Sequence, residues 1–247
     1  MDKTTASTRT RSGRKRSYRG VTKKSKSAPN KKERQSTKTR NLILDAAEGL
    51  FARHGLYGVT VRDLADSAAV DTALVHYYFG TKTEVFHAVF KRRSGTINEA
   101  RMQSMSRYEE EAAGDLTVEG AIRAFLEPIF DNDRQNDRGW RNYSALVAMA
   151  NNSQEWGGEM MSQYFDKVIH RLIDLLRKAI PGANDQDLYW AYQMFSGSLM
   201  VIQANTGRIE LLSKRKCRSD DVDAFGERLI AYTSAGFKAI CEPHESA

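Results

Sequence analysis

The sequence predicts an all-α protein: a three-helix helix-turn-helix domain near the N-terminus, followed by a larger helical domain. Three observations predict it. Beyond position 37 the apolar residues recur every three or four positions, and no segment alternates as a strand would. The 247 residues contain only 4 Pro and no Asn-Gly or Asp-Gly pair to turn a hairpin. Helix-start signatures and glycines fall between the periodic segments, where an all-α chain needs them.

The first unit, residues 1–36, is a basic tail. Residues 1–40 hold 15 Lys or Arg against 2 acids, leaving 23 basic and 29 acidic residues for the rest, so the net charge of +7 belongs to the tail. Its Ser, Thr, Lys and Arg bury too little apolar surface to offset the entropy of ordering, and disorder is expected. It lacks the apolar stretch of a secretory signal. An arm that binds nucleic acid fits it better.

The second unit, residues 37–97, starts with a helix carrying Leu42, Ile43, Ala46, Leu50 and Phe51 on one side and ending at His54-Gly55. Thr60 followed by Asp63 opens the next helix, with Val61, Leu64, Ala65 and Ala68 inward. Asp71 caps a very short helix from about Thr72 to Tyr78, with Gly80 beyond its end. Thr81-Lys82-Thr83-Glu84 is a capping box for a fourth helix, whose inner face begins with Val85, Phe86, Val89 and Phe90. Two short helices joined by a four-residue turn make a helix-turn-helix at 60–79. In the run His76, Tyr77, Tyr78, Phe79, consecutive rings must point all the way round the helix. Val75 and Phe79 are the expected core residues, with Val70 packed in the turn, which leaves Thr72, Ala73, His76 and Tyr77 for base edges and phosphates.

The third unit, residues 98–247, reads as helices over Val118–Phe130, with Pro128 as a kink, then Trp140–Ala150 and Glu155–Ile180. Leu188, Tyr192, Phe195, Leu199 and Ile202 form one further stripe, and Val222, Phe225, Leu229, Tyr232, Gly236 and Ile240 another. The uncharged run Leu188–Gly207 contains Gln193, Ser196, Ser198, Gln203, Asn205 and Thr206, which suits a buried helix and not a membrane span. Cys217 and Cys241 are the only cysteines, as expected in a reducing compartment. Cys217 lies in KRKCRS, where positive charge favours the thiolate. Catalysis has no constellation to rest on. The five His show no HExxH or other metal spacing, and no P-loop, GxGxxG or GxSxG occurs, so neither cofactor nor metal is expected.

ILDAAEGLFARHGLYGVTVRDLADSAAV (43–70) and TALVHYYFGTKTEVFHAVF (72–90) resemble the DNA-binding domain of the TetR (tetracycline-repressor) family of bacterial transcription regulators. Three positions depart from the family pattern: Ala69 for its Gly, Asp71 for its Ser, and His76 for the first Tyr of a pair. The resemblance implies phosphate contacts from Thr60, Arg62, Tyr77 and Lys82, and base or groove contacts from Thr72, Ala73 and His76. His76 is expected to donate to phosphate as Tyr does. It also implies a homodimer on a palindromic double-stranded operator, joined through a four-helix interface built from the last two apolar stripes, in the cytoplasm and associated with the nucleoid.

The expected effector is a hydrophobic small molecule, either acyl or fatty-acid-like or aromatic, because adaptable side chains concentrate in the third unit. Candidate contacts are Met149, Trp156, Met161 and Tyr164, with His170, Gln193, Phe195 and Met200 further along; Met160, Tyr192 and Gln203 share their character. WAYQMFSGSLM resembles a subgroup of acyl-responsive members. A ligand-independent architectural DNA-binding protein is the alternative, since the tail alone would bind DNA of any sequence.

Overall fold

A computed structural model describes residues 31–135 and 137–242. Among them the chain forms α-helices and no strand. Helix α1 (Lys31–His54) starts before the expected boundary: residues 31–36, assigned above to the disordered tail, form its first turns. Thr37 and Thr39 there turn their hydroxyls onto the carbonyls of Glu33 and Gln35 one turn back. Residues 1–30 of the tail lie outside the described residues.

Helices α2 (Val61–Ala68) and α3 (Thr72–Phe79) follow, then the 31-residue α4 (Lys82–Ala112). At about 1.5 Å per residue, α4 is roughly 46 Å long and belongs to both halves of the molecule. The larger half contains α5 (Val118–Arg134, with Pro128 inside it), α6 (Arg138–Asn151), α7 (Gly157–Ala179), α8 (Asp185–Gln203), the short α9 (Arg208–Leu212) and α10 (Val222–Cys241). None of the described helices is long and apolar enough to cross a membrane. Cys217 is exposed between α9 and α10, and Cys241 is buried.

One core runs through both halves. Phe51 of α1 and Phe86 of α4 are fully buried and meet edge to face at 5.1 Å, and Trp156, at the start of α7, meets Phe86 at 5.4 Å. Phe90 stacks on Tyr164 of α7 at 6.0 Å. A buried ion cluster lies beside these rings. Glu48 of α1, only 3% exposed, accepts from Arg92 Nη2 at 2.7 Å and from Arg93 Nε and Nη2 at 3.0 Å. The Arg93 guanidinium also lies 4.9 Å from the centre of the Trp140 ring on α6.

Ala69 closes α2 in the left-handed conformation (φ 53°, ψ 46°), its N–H donating to the carbonyls of Ala65 and Asp66. A side chain at this cap costs about 1–2 kcal/mol, part of which glycine would return through its freer unfolded chain. Ala69→Gly is therefore expected to stabilise the protein by about 0.5–1 kcal/mol. A thermal melt should show a rise of about 2–4 °C per kcal/mol; a fall would mean that the alanine methyl makes a contact worth more than the strain.

Candidate nucleic-acid interface and internal cavity

Both helices of the helix-turn-helix are capped as expected. Thr60 Oγ1 accepts from the Asp63 amide at 3.1 Å, and Asp63 Oδ2 takes the Thr60 amide at 2.8 Å and its hydroxyl at 2.7 Å. Thr81 and Glu84 repeat the arrangement at the head of α4. The hydrogen bonds to the threonines hold both carboxyls below their usual range. Asp71 Oδ1 accepts from the Ala73 amide at 2.7 Å and so starts α3.

With that frame set, α3 sorts its rings. Val75 and Phe79 are buried, Val70 packs in the turn, and Tyr78 is half-buried. Thr72, Ala73, His76 and Tyr77 are exposed, Tyr77 at 79%. Tyr77 meets Tyr78 edge to face at 5.1 Å, which limits where its hydroxyl can reach. Arg62 is 85% exposed and only loosely paired with Asp66 at 3.8 Å, leaving it free to swing. Lys82 occupies the first turn of α4, beside the end of α3.

Two expected contacts are constrained. The Thr60 hydroxyl is already committed to Asp63, so a phosphate contact from it would have to break the cap. His76 Nδ1 lies 2.7 Å from the Gly80 carbonyl. A carbonyl only accepts, so Nδ1 carries a proton there and only Nε2 is left to face DNA. His76 therefore meets DNA through one ring nitrogen alone. Arg40, which sequence reasoning did not single out, lies with its guanidinium 5.1 Å from the Phe79 ring centre and brings the exposed basic start of α1 beside α3.

In the larger half, a cavity of about 50 Å³ opens among α4, α5, α6, α7 and α8. Met161, Phe195 and Met200 line it, as expected, and so do Tyr192 and Gln203. Five candidate residues are elsewhere. Met149 packs its sulfur 3.2 Å from where a Cβ on Gly55 would stand, at a position with φ +68°. Trp156 is taken up by Phe86, and the Tyr164 hydroxyl donates to the His87 carbonyl at 3.2 Å. His170 and Gln193 are exposed on α7 and α8. Composition marked these residues as adaptable, but three of them serve the junction between the halves.

Sequence reasoning passed over three of the cavity's polar residues, Arg101, Tyr143 and Asp133. Arg101 of α4 is 6% exposed, and burial pulls its guanidinium down to about 10. Burial pushes the Tyr143 and Tyr192 phenols up, and it raises the Asp133 carboxyl to about 6. Arg101 Nε, Tyr143 Oη and Gln203 Oε1 are buried without a hydrogen-bond partner. Buried polar atoms are normally paired, so these orphans leave the cavity with unmet hydrogen-bonding capacity.

The outer face of the molecule shows which side of α8 its own chain leaves uncovered. Leu188, Phe195 and Leu199 of α8 and Leu229 of α10 are buried in their own chain. The uncovered apolar positions of α8 are on its other side, at Trp190, Met194 and Val201, while on α10 Tyr232 of the expected stripe is itself uncovered; all four are between 57% and 75% exposed.

Residues 43–89 match the profile of bacterial regulatory proteins of the tetR family, and residues 123–236 match the tetracyclin repressor-like C-terminal domain. The chain belongs to the TetR family. It is 32% identical over 56 residues to the probable acrEF/envCD operon repressor of Escherichia coli K12, covering 23% of this chain and 26% of that protein. It is 25% identical over 124 residues to the IcaR negative regulator of the icaADBC biofilm operon of Staphylococcus aureus strain Newman, half of this chain and 60% of that one. The chain thus spans less than two thirds of the length of these relatives. The fold is similar to that of HlyIIR, a hemolysin II transcriptional regulator, with a TM-score of 0.56 at 19% identity over 80% of this chain and 97% of that one.

Proposed function

We propose that the protein is a dimeric transcriptional repressor that reads a palindromic operator with α3 and leaves it when a small molecule occupies the cavity. The observation that carries this reading is the division of α3: Val75 and Phe79 hold it to the core while Thr72, Ala73, His76 and Tyr77 stand free. Small residues at its front allow close approach to base edges, and Tyr77, Arg62 and Lys82 flank them for phosphates. The repressor relatives support the direction of regulation.

Trp190, Met194, Val201 and Tyr232 support a seat for the second copy. On α8 they follow the spacing of a helix-packing seam, with Gly197 between Met194 and Val201 and open space where its Cβ would be. Two such α8–α10 faces would join as four helices.

The cavity acts through helices that also hold the reading head. At about 50 Å³ it takes only a few waters, so an effector must push its walls apart. Those walls include α4, which carries Arg101 and reaches the end of α3, and Trp140, which stacks on the Arg93 that pairs with Glu48. A ligand shifts the equilibrium only by its differential affinity for the two states, typically about 1–3 kcal/mol of coupling.

Selection from a randomised duplex library should return a palindrome with half-sites about 10–10.5 base pairs apart, or a multiple of that spacing. Tyr77→Ala and Lys82→Ala are expected to weaken binding to every sequence. Thr72 and His76 substitutions should also change base preference, by about 1–3 kcal/mol for each base edge no longer read. Selection without a palindrome, or intact affinity in all four variants, would refute the reading of α3.

A further inference from the structure

We propose that the effector is an organic monoanion, a carboxylate on an apolar body, whose charged end is held by Arg101 and the Tyr143 and Tyr192 hydroxyls. The inference rests on the cavity being the effector site, and it specifies the chemistry of that site. Arg101 projects from α4 into an otherwise largely apolar cavity, its guanidinium 4.2 Å from the centre of the Phe125 ring. Among the described residues it makes no ion pair and no hydrogen bond, and its Nε is buried without a partner. The titratable groups facing it are the two phenols, and neither carries the negative charge that a buried guanidinium calls for.

The cavity also holds a carboxyl, but in a different position. Asp133 is eight residues beyond Phe125 on α5, roughly 12 Å along the helix. It lies, with Gln203, on the wall that the cavity shares with an outer groove. Asp133 can relieve its own burial by taking up a proton, because its carboxyl is already raised to about 6. Arg101 has no such escape: even lowered to about 10, it stays charged at neutral pH. The group that lacks a partner is therefore the cation. A guanidinium, a phenol hydroxyl and an orphaned Nε–H all donate, and a carboxylate is the small group that accepts from several donors at once. The remaining lining, aromatic and aliphatic, suits a hydrocarbon body, and Met161 and Met200 can change rotamer to admit it.

The test uses the full chain and titration calorimetry with matched probes: octanoate, octanol and octylamine, then phenylpropanoate and phenylpropanol. The acids are expected to bind on the order of ten- to a hundredfold more tightly than the alcohols, as charge-assisted hydrogen bonds should require. Arg101→Met should remove that preference while alcohol binding survives, and Arg101→Lys should restore part of it. Should Arg101→Met fail to fold, Tyr143→Phe with Tyr192→Phe is expected to shrink the acid preference in its place. Equal affinity of the wild-type chain for acid and alcohol, tightest binding of the amine, or an acid preference that persists in Arg101→Met would each overturn the anion inference while leaving the cavity as a binding site. Binding of no probe in either series would instead remove the cavity from the proposed function, and the anion inference with it.

Discussion

Glu48→Ala is expected to destabilise the protein by about 3–5 kcal/mol, the usual result of removing one partner from a buried charged cluster. Both Glu48 oxygens are occupied, by Arg92 and Arg93, and the two guanidiniums are only about a quarter exposed. Without Glu48 they face each other with weaker compensation: Arg92 keeps Asp45 at 2.6 Å, and Arg93 keeps Asp137 only at 4.0 Å. At about 2–4 °C per kcal/mol for a chain of this size, the melting temperature should fall by roughly 6–20 °C. Glu48→Gln, which keeps an acceptor without the charge, should fall between the two. A shift of about one degree or less in the alanine variant would show that the cluster relaxes into solvent and does not tie α1 to α4.

The second large effect concerns assembly. Met194→Glu combined with Val201→Glu places four like charges across the proposed two-fold seam of each dimer, while both side chains are solvent-exposed in one protomer. The variant should fold normally by circular dichroism and sediment as a monomer. Affinity for a two-half-site operator should then drop by on the order of 10²–10⁴-fold, since the second recognition helix no longer binds intramolecularly. A variant that keeps the dimer mass would move the interface elsewhere on the molecule.

The helix-turn-helix was legible in the sequence because its determinants are local. A cap and its partner are two or three residues apart, so Thr60 with Asp63, Asp71 with Ala73 and Thr81 with Glu84 state the helix starts outright. The burial of Val75 and Phe79 follows from the same registration. The cavity is non-local. Arg101, Tyr143 and Tyr192 come from three helices, and only their packing turns them toward one space. An arginine within a long charged helix gives no local sign that it points inward. Methionines and aromatics mark adaptable packing, yet Met149 and Trp156 spend theirs at the junction, as Tyr164 does. The interface shows the same limit: apolar periodicity identified α8 and α10, but a helix with apolar residues on two sides needs the fold to say which side is already covered.

The edge-to-face stack of Phe51, Phe86 and Trp156 bears on any attempt to recombine this protein with others. Its reading head and its receiver are not interchangeable parts joined by a linker, because each supplies rings that the other needs in order to be dry. A chimera cut at residue 97 would bring Phe51 and Phe86 against a foreign surface with no counterpart to Trp156 or Tyr164. A biosensor built from this receiver would therefore have to carry the junction with it, α1 through the start of α7, or be re-cored where the two lineages meet.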